Sequence, residues 1–154
     1  MATRDELQAL LPRVKAATGA DRHADVLLWA LDRGLSLEWQ GSTLVAGHEG
    51  VIGWRDPGEH SDNFYTNRDT HGPGSIPAYT ASVDAALALI GRALPGACWR
   101  VEKSCEYPGL SFRTHQFTGY CGDWGAPARA EGPTPALALL AALIEAKIAE
   151  TDND

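Results

Sequence analysis

The stretch Thr134-Pro135-Ala136-Leu137-Ala138-Leu139-Leu140-Ala141-Ala142-Leu143-Ile144-Glu145-Ala146-Lys147-Ile148 constrains this chain more than any other. Threonine at the N-cap and proline at the first helical position, where a missing N–H costs nothing, start a helix. Leu137, Leu140, Ile144 and Ile148 share one face, and Leu139 and Leu143 widen it. A helix this apolar has to lie on a large apolar surface, so the rest of the chain must supply one.

At 154 residues the chain has the size of one domain, able to bury a core without disulfides or metal. The 16 Gly and 9 Pro imply many turns between its elements. Thirteen basic against 20 acidic residues give a net charge of −7, which argues against a partner made of phosphate backbone, whose affinity rests on clustered Lys and Arg. No apolar run reaches the ~20 residues of a membrane span. Met1-Ala2-Thr3-Arg4-Asp5-Glu6 leads into a mixed helical pattern with no signal-peptide core, so the expectation is a cytoplasmic protein. Cys98, Cys105 and Cys121 contain no CxxC pair and read as reduced, partly buried thiols.

Thr3 caps a first helix whose apolar face is Leu7, Leu10, Leu11 and Val14, with Pro12 inside it predicting a kink or a restart near Leu11. Thr18-Gly19-Ala20-Asp21 stops it. A second helix, Arg22 to Arg33, turns Val26, Leu27, Trp29 and Ala30 inward and ends at Gly34. From Leu35 the period shortens to two: Leu35, Leu37 and Trp39, then Thr43 to Ala46 and Val51 to Trp54, predict a small hairpin or meander. Residues 55–76 lack periodicity and read as an irregular insert in a single 1–154 domain. Thr80 or Ser82 then caps a helix carrying Val83, Leu87, Ile90 and Leu94, closed by Pro95-Gly96. Cys98 to Lys103 alternates as a strand, with a hairpin to Leu110–Phe117 through Tyr107-Pro108-Gly109. A third strand is expected at Tyr120 to Trp124 or at Ala128 to Ala130. The class is therefore α+β: a small antiparallel sheet covered by helices, a helix–sheet–helix sandwich.

Three blocks carry a likeness to a known family: Leu11-Pro12-Arg13-Val14-Lys15-Ala16-Ala17-Thr18-Gly19-Ala20-Asp21-Arg22, Pro77-Ala78-Tyr79-Thr80-Ala81-Ser82-Val83-Asp84-Ala85-Ala86-Leu87, and Ala130-Glu131-Gly132-Pro133-Thr134-Pro135-Ala136-Leu137-Ala138-Leu139. In order and over nearly the whole chain they resemble the small phage and prophage proteins called phage ABA-sandwich proteins. That resemblance implies a helix and sheet sandwich and a phage or prophage origin; it implies no activity. Residues 33–76 are longer than the family's pattern, and anything special to this member is expected there.

His60 with Asp62 and Asp69 with His71 carry acceptable metal ligands, but H-x-D…D-x-H is no motif of defined geometry, and solvated loop residues are the better reading. Cys105 or Cys121 with His115 carries the atoms of a thiolate–imidazole pair, and structural cysteine is favoured over it. Gly72-Pro73-Gly74 is no phosphate loop. The helix–three strands–helix order is also that of a double-stranded RNA-binding domain, yet the last helix has no cation before Lys147. No cofactor and no metal is expected. Of the five Trp, Trp29, Trp39 and Trp99 fit core or half-core positions. Trp54 and Trp124 border irregular segments, and with Phe64, Tyr65 and Tyr120 they make a candidate aromatic surface for a protein partner.

The expected binding residues are Trp54, His60, Asp62, Phe64, Tyr65, Arg68, Asp69, His71 and Trp124. The expectation is a phage or prophage accessory protein that binds a host or virion protein, with neither nucleic acid nor membrane as partner. A small-ligand or metal-dependent enzyme with its site in 55–76 is the alternative, and a structural homo-oligomeric subunit is the third.

Overall fold

Helix α4, Pro135–Thr151, is buried on all sides over most of its length: every residue from Ala136 to Ile144 is buried. Thr134 caps it, its Oγ1 accepting the Leu137 N–H at 3.2 Å, with proline in the first turn. The sequence expectation of one apolar face is thereby exceeded, because this helix has neighbours on opposite sides. The computed structural model of the chain describes residues 3–35, 37–40, 43–46, 51–55, 62–63, 76–103 and 117–152, with backbone alone for those between 37 and 63.

The described residues form two compact units, the first spanning 22–78 and the second 3–21 with 79–154. The second unit holds the antiparallel sheet β5 (Cys98–Lys103), β6 (Phe117–Gly122) and β7 (Ala128–Gly132), in that spatial order. Register runs Arg100↔Tyr120↔Arg129 and Glu102↔Thr118↔Glu131 across the three strands. Helix α4 packs on this sheet, while α1 (Arg4–Ala16) and α3 (Val83–Ala93) pack on α4. The fold is α+β, an antiparallel sheet with helices packed on it.

Two glycines set how closely α4 approaches the sheet. A Cβ at Gly119 in β6 would stand 2.4 Å from the Ala138 carbonyl oxygen, and one at Gly132 in β7 would stand 2.9 Å from the Ala138 nitrogen. Real Cβ atoms do not come so near backbone, so the contact exists only because these positions lack a side chain. Cross-strand partners share a face. Cys121, fully buried, and Ala130, 5% exposed, therefore belong with the glycines to the helix-facing side.

Helix α1 is fixed at its start by a capping box: the Thr3 N–H donates to Glu6 Oε2 at 2.7 Å and Thr3 Oγ1 accepts the Glu6 N–H at 3.3 Å. It runs unbroken through Pro12, without the restart the sequence suggested. Pro12 and Gln8 both lie on the exposed side, so the Gln8 carbonyl left without its i+4 donor faces water. Leu7, Leu10 and Val14 are buried, and Leu11 is only half-buried. Lys15 reaches Glu145 of α4 at 2.6 Å, and Arg4 pairs with Asp152 at the other end. Before α3, the buried Thr80 accepts the Asp21 N–H at 2.8 Å and donates to the Asp21 carbonyl at 3.3 Å. Asp21 in turn takes a bidentate contact from Arg13, at 3.0 and 3.1 Å. Ser82, rather than Thr80, caps α3 through the Ala85 N–H. Its buried residues are Ala86, Leu89 and Ile90, with Leu94 just beyond; Val83 and Leu87, expected inside, are half-buried because α3 rests on α4 rather than directly on the sheet.

In the first unit, α2 (Arg22–Arg33) ends at Gly34, φ 67°, in a Schellman motif: Leu35 N–H to Ala30 carbonyl at 2.8 Å and Gly34 N–H to Leu31 carbonyl at 3.2 Å. Leu28, not Leu27, is the buried leucine. Arg22 donates to the fully buried Asp25 at 3.1 Å and to the Ile76 and Pro77 carbonyls, tying the start of α2 to the end of the insert. The meander expected after Leu35 is present as β1 (Leu37–Gln40), β2 (Thr43–Ala46) and β3 (Val51–Arg55), with a bulge opposite Leu44/Val45. A fourth strand, β4 (Asp62–Asn63), pairs with β3 inside the stretch the sequence marked as irregular. Asp and Asn are poor strand formers, so pairing rather than propensity makes this strand. No helix among the described residues is long and apolar enough to cross a membrane.

Substituting Gly119→Ala is expected to lower unfolding stability by about 1–3 kcal/mol or more, since the helix must retreat from the sheet. Gly91→Ala, in the exposed interior of α3 with nothing within 4 Å of the added Cβ, is expected to raise it by about 0.5–1 kcal/mol. Urea denaturation of both variants beside the parent checks the pair; a neutral Gly119→Ala would show that the close approach is not a constraint.

Candidate functional site

The face of the β5–β7 sheet turned away from α4 is set by the register. Gly119, Cys121, Ala130 and Gly132 take the helix side; by alternation Cys98, Arg100, Glu102, Thr118, Tyr120, Arg129 and Glu131 take the other. On that face the Arg100 guanidinium lies over the Tyr120 ring, 4.3 Å from its centroid. A guanidinium held there gains from the ring's negative face while keeping its donors at the ring edge. Each arginine also has a carboxylate on its own strand: Arg100 with Glu102 at 3.0 Å and Arg129 with Glu131 at 2.9 Å. These pairs are exposed, each contributing only about 0–1 kcal/mol, so they hold side chains in place without locking them.

Next to this stack, the β6–β7 turn presents Trp124. Gly122, at φ 124°, ends β6 in a conformation other residues avoid. The Asp123 carbonyl then accepts the Ala126 N–H at 3.2 Å, and Asp123 Oδ1 accepts the Gly125 N–H at 3.4 Å. Backbone turn and Asx turn together fix the loop, with Trp124 at its second position. Trp124 is 68% exposed, and Trp99 on edge strand β5 is 47% exposed. Cys98, Trp99, Arg100, Tyr120, Trp124 and Pro127 line a recess of about 130 Å³. Trp124, Tyr120, Arg100 and Pro127 thus border a solvent-facing hollow, with Trp99 at its rim on the edge strand.

Of the residues expected to bind, Trp124 is the one with a described side chain, and it is at this recess. Trp54 lies in β3, its backbone paired with Thr43 and Asn63, and Asp62 lies in β4 opposite Arg55. His60, Phe64, Tyr65, Arg68, Asp69 and His71 lie outside the described residues, as do Cys105, His115 and the expected strand residues 110–116. Trp99, expected at a core or half-core position, is 47% exposed. Alternation puts it on the correct side of the strand, but β5 is at the sheet's edge, where α4 covers little of it. Arg100, Tyr120 and Pro127 complete the site. Tyr120 is within reach of sequence reasoning as an exposed aromatic; Arg100 is not, because the stack depends on the Arg100↔Tyr120 register, which no local pattern specifies. Among the described residues no three His, Cys, Asp or Glu side chains form a metal-binding group.

Cys121 lies on the opposite, helix-packed side with no exposed surface. Burial, with a smaller contribution from the Glu150 carboxylate, pushes its thiol from 9.0 up to about 11. A thiol so held stays protonated at neutral pH and is a poor nucleophile. Cys98, half-buried and free, is the thiol at the recess. The raised Cys121 value sets a pH dependence. Below about pH 9 folded and unfolded chains both keep the proton; between about 9 and 11 the unfolded chain loses it while the folded chain retains it. Stability should therefore fall as pH rises through that window, by up to about 2–3 kcal/mol from this group. Stability measured by urea at pH 8, 9, 10 and 11 is expected to decline more steeply for the parent than for Cys121→Ala; parallel declines would remove Cys121 as the cause.

Comparison of the chain with protein-family models, with curated proteins and with solved structures finds no match in any of the three.

Proposed function

We propose that this chain is a binding protein that engages another protein through the open face of its C-terminal sheet, with Trp124 as the anchor. The observation that carries this reading is the exposed Trp124 beside a recess that also holds Trp99, Tyr120 and Arg100. Trp, Tyr and Arg are the side chains that dominate binding energy at protein interfaces, where a ring can be desolvated without leaving a charge unpaired. The turn that presents Trp124 is closed by its own hydrogen bonds, so little order has to be gained on association.

The charge pattern supports a protein rather than a nucleic acid as partner. Arg100 and Arg129 each have their own glutamate, and the chain carries a net −7. A phosphate backbone needs uncompensated cations instead. The first turn of α4, which would have to meet RNA in a double-stranded RNA-binding mode, is buried. With the resemblance to phage ABA-sandwich proteins, the reading extends to a phage or prophage accessory protein in the bacterial cytoplasm, acting on a host or virion component. Of the surface expected from sequence, Trp124 on the β5–β7 sheet is the part this reading rests on.

Tagged protein passed through nuclease-treated lysate of a bacterial host, beside Trp124→Ala, tests this. A stoichiometric partner retained by the parent and reduced about tenfold or more by the variant is the expected result. A partner held equally by both would place the binding surface elsewhere.

A further inference from the structure

Strand β5 is an edge of its sheet among the described residues, and it is open along its length: Trp99, Arg100, Glu102 and Lys103 are exposed, and Cys98 and Val101 are half-buried. The outward backbone N–H and C=O groups of such a strand are a template for a further strand. Charged side chains commonly blunt an edge, and this one carries three. Yet Trp99, on the helix side of β5, is 47% exposed, and an added strand would cover it. The other edge, β7, offers nothing comparable, because Ala130 and Gly132 on its helix side are already buried beside α4. The feature at issue is thus the edge of β5, independent of the Trp124 surface proposed for a protein partner.

The order of residues along β5 selects the occupant. In Trp99-Arg100-Val101-Glu102-Lys103, a cation and an anion flank Val101, and an indole and an ammonium lie one position further out. Two copies paired antiparallel about a two-fold axis at Val101 set Arg100 of each opposite Glu102 of the other, on the open face. They set Trp99 of each opposite Lys103 of the other, on the helix face. Cross-strand partners then share a face, as a continuous sheet requires, and both kinds of pair are attractive. Neighbouring registers fail. A slip of one residue opposes residues from different faces. A slip of two sets Arg100 against Arg100 in one direction and Glu102 against Glu102 in the other, and like charges directly opposite repel. The Arg100–Glu102 contact at 3.0 Å within each strand is kept, so four charges alternate around the axis. Charge that blunts this edge toward other strands is thus complementary to a second copy of this chain in one register.

We propose that two copies of this chain pair through β5, centred on Val101, and join their three-stranded sheets into one continuous antiparallel sheet in the order β7-β6-β5-β5-β6-β7. Main-chain hydrogen bonds supply the affinity, and the Arg100–Glu102 and Trp99–Lys103 pairs supply the register. A six-residue strand is about 20 Å long at about 3.3 Å per residue. One such pairing is small beside a standard interface, so the dimer exchanges with monomer in the micromolar range.

Sedimentation equilibrium of the full chain from about 1 to about 300 µM tests this, on the parent, on Arg100→Glu, on Glu102→Arg, and on an equimolar mixture of the two variants. The parent is expected to dimerise with a Kd of about 10–100 µM. Each variant alone opposes like charges at both sites and should dimerise about tenfold or more weakly. The mixture opposes an anion to a cation at every site, so it should recover a dimer within about threefold of the parent. Both positions are exposed, and thermal unfolding checks that each variant is folded. A parent that stays monomeric at 300 µM overturns the proposal and leaves the edge to a foreign strand. A dimer that neither variant weakens, or that mixing does not restore, also overturns it, because the contact then lies on another surface.

Discussion

The contact between the Ala138 backbone and the two glycines beneath it governs the second unit. With Gly119 and Gly132 lacking side chains, α4 settles onto β6 and β7 at a distance no other residue type permits at those sites. A helix lowered so far presents alanine on the inside, and Ala136, Ala138, Ala141 and Ala142 are all buried. Its leucines then have to be covered as well, which is why α1 and α3 lie on α4 and not on the sheet. Among the described residues, the helical cover of the sheet in this unit is thus on one side. The opposite face of β5–β7 is left to Arg100, Glu102, Tyr120, Arg129 and Glu131, and the surface available for recognition is a consequence of the packing beneath it.

Legibility follows the physics of each signal. Capping and helical period are local, so Thr3, Gly34, Ser82 and Thr134 mark true helix ends, and α4 is evident from its apolar run. Strand alternation is local too, and β5 and β7 emerge close to where the pattern puts them. What alternation cannot say is whether a face is covered. Trp99 alternates like a core residue, yet its place on an edge strand leaves it half exposed. Nor does it give register: that Lys103 pairs with Phe117, and Arg100 with Tyr120, follows from no local pattern. By sequence Gly119 belongs with the turn-rich segment before α4. An isolated glycine beside Phe117 and Tyr120 also fits a strand approached closely by another backbone, and that sense applies here.

The three sequence blocks at residues 11–22, 77–87 and 130–139 contain residues whose roles are structural. Thr80, in the second block, holds the Asp21 backbone of the first, and Arg13 clamps the Asp21 carboxylate. Gly132 and Ala138 of the third block meet at the helix–sheet contact. Trp99, Arg100, Tyr120, Trp124 and Pro127 all fall outside those blocks. These blocks thus carry the packing of the chain, whereas the recess lies outside them.

A single exposed tryptophan on a turn needs no explanation by itself, since folded proteins expose much apolar surface. Trp124 differs in its setting. Its loop is closed by a backbone and an Asx hydrogen bond, which fix the backbone that carries it, and it shares a recess with Tyr120, Arg100, Trp99 and Pro127. The charges nearby are balanced strand by strand, which keeps the face soluble while adding no strong field. A surface whose cations each have a carboxylate on their own strand offers little to a polyanion, whose binding needs uncompensated charge.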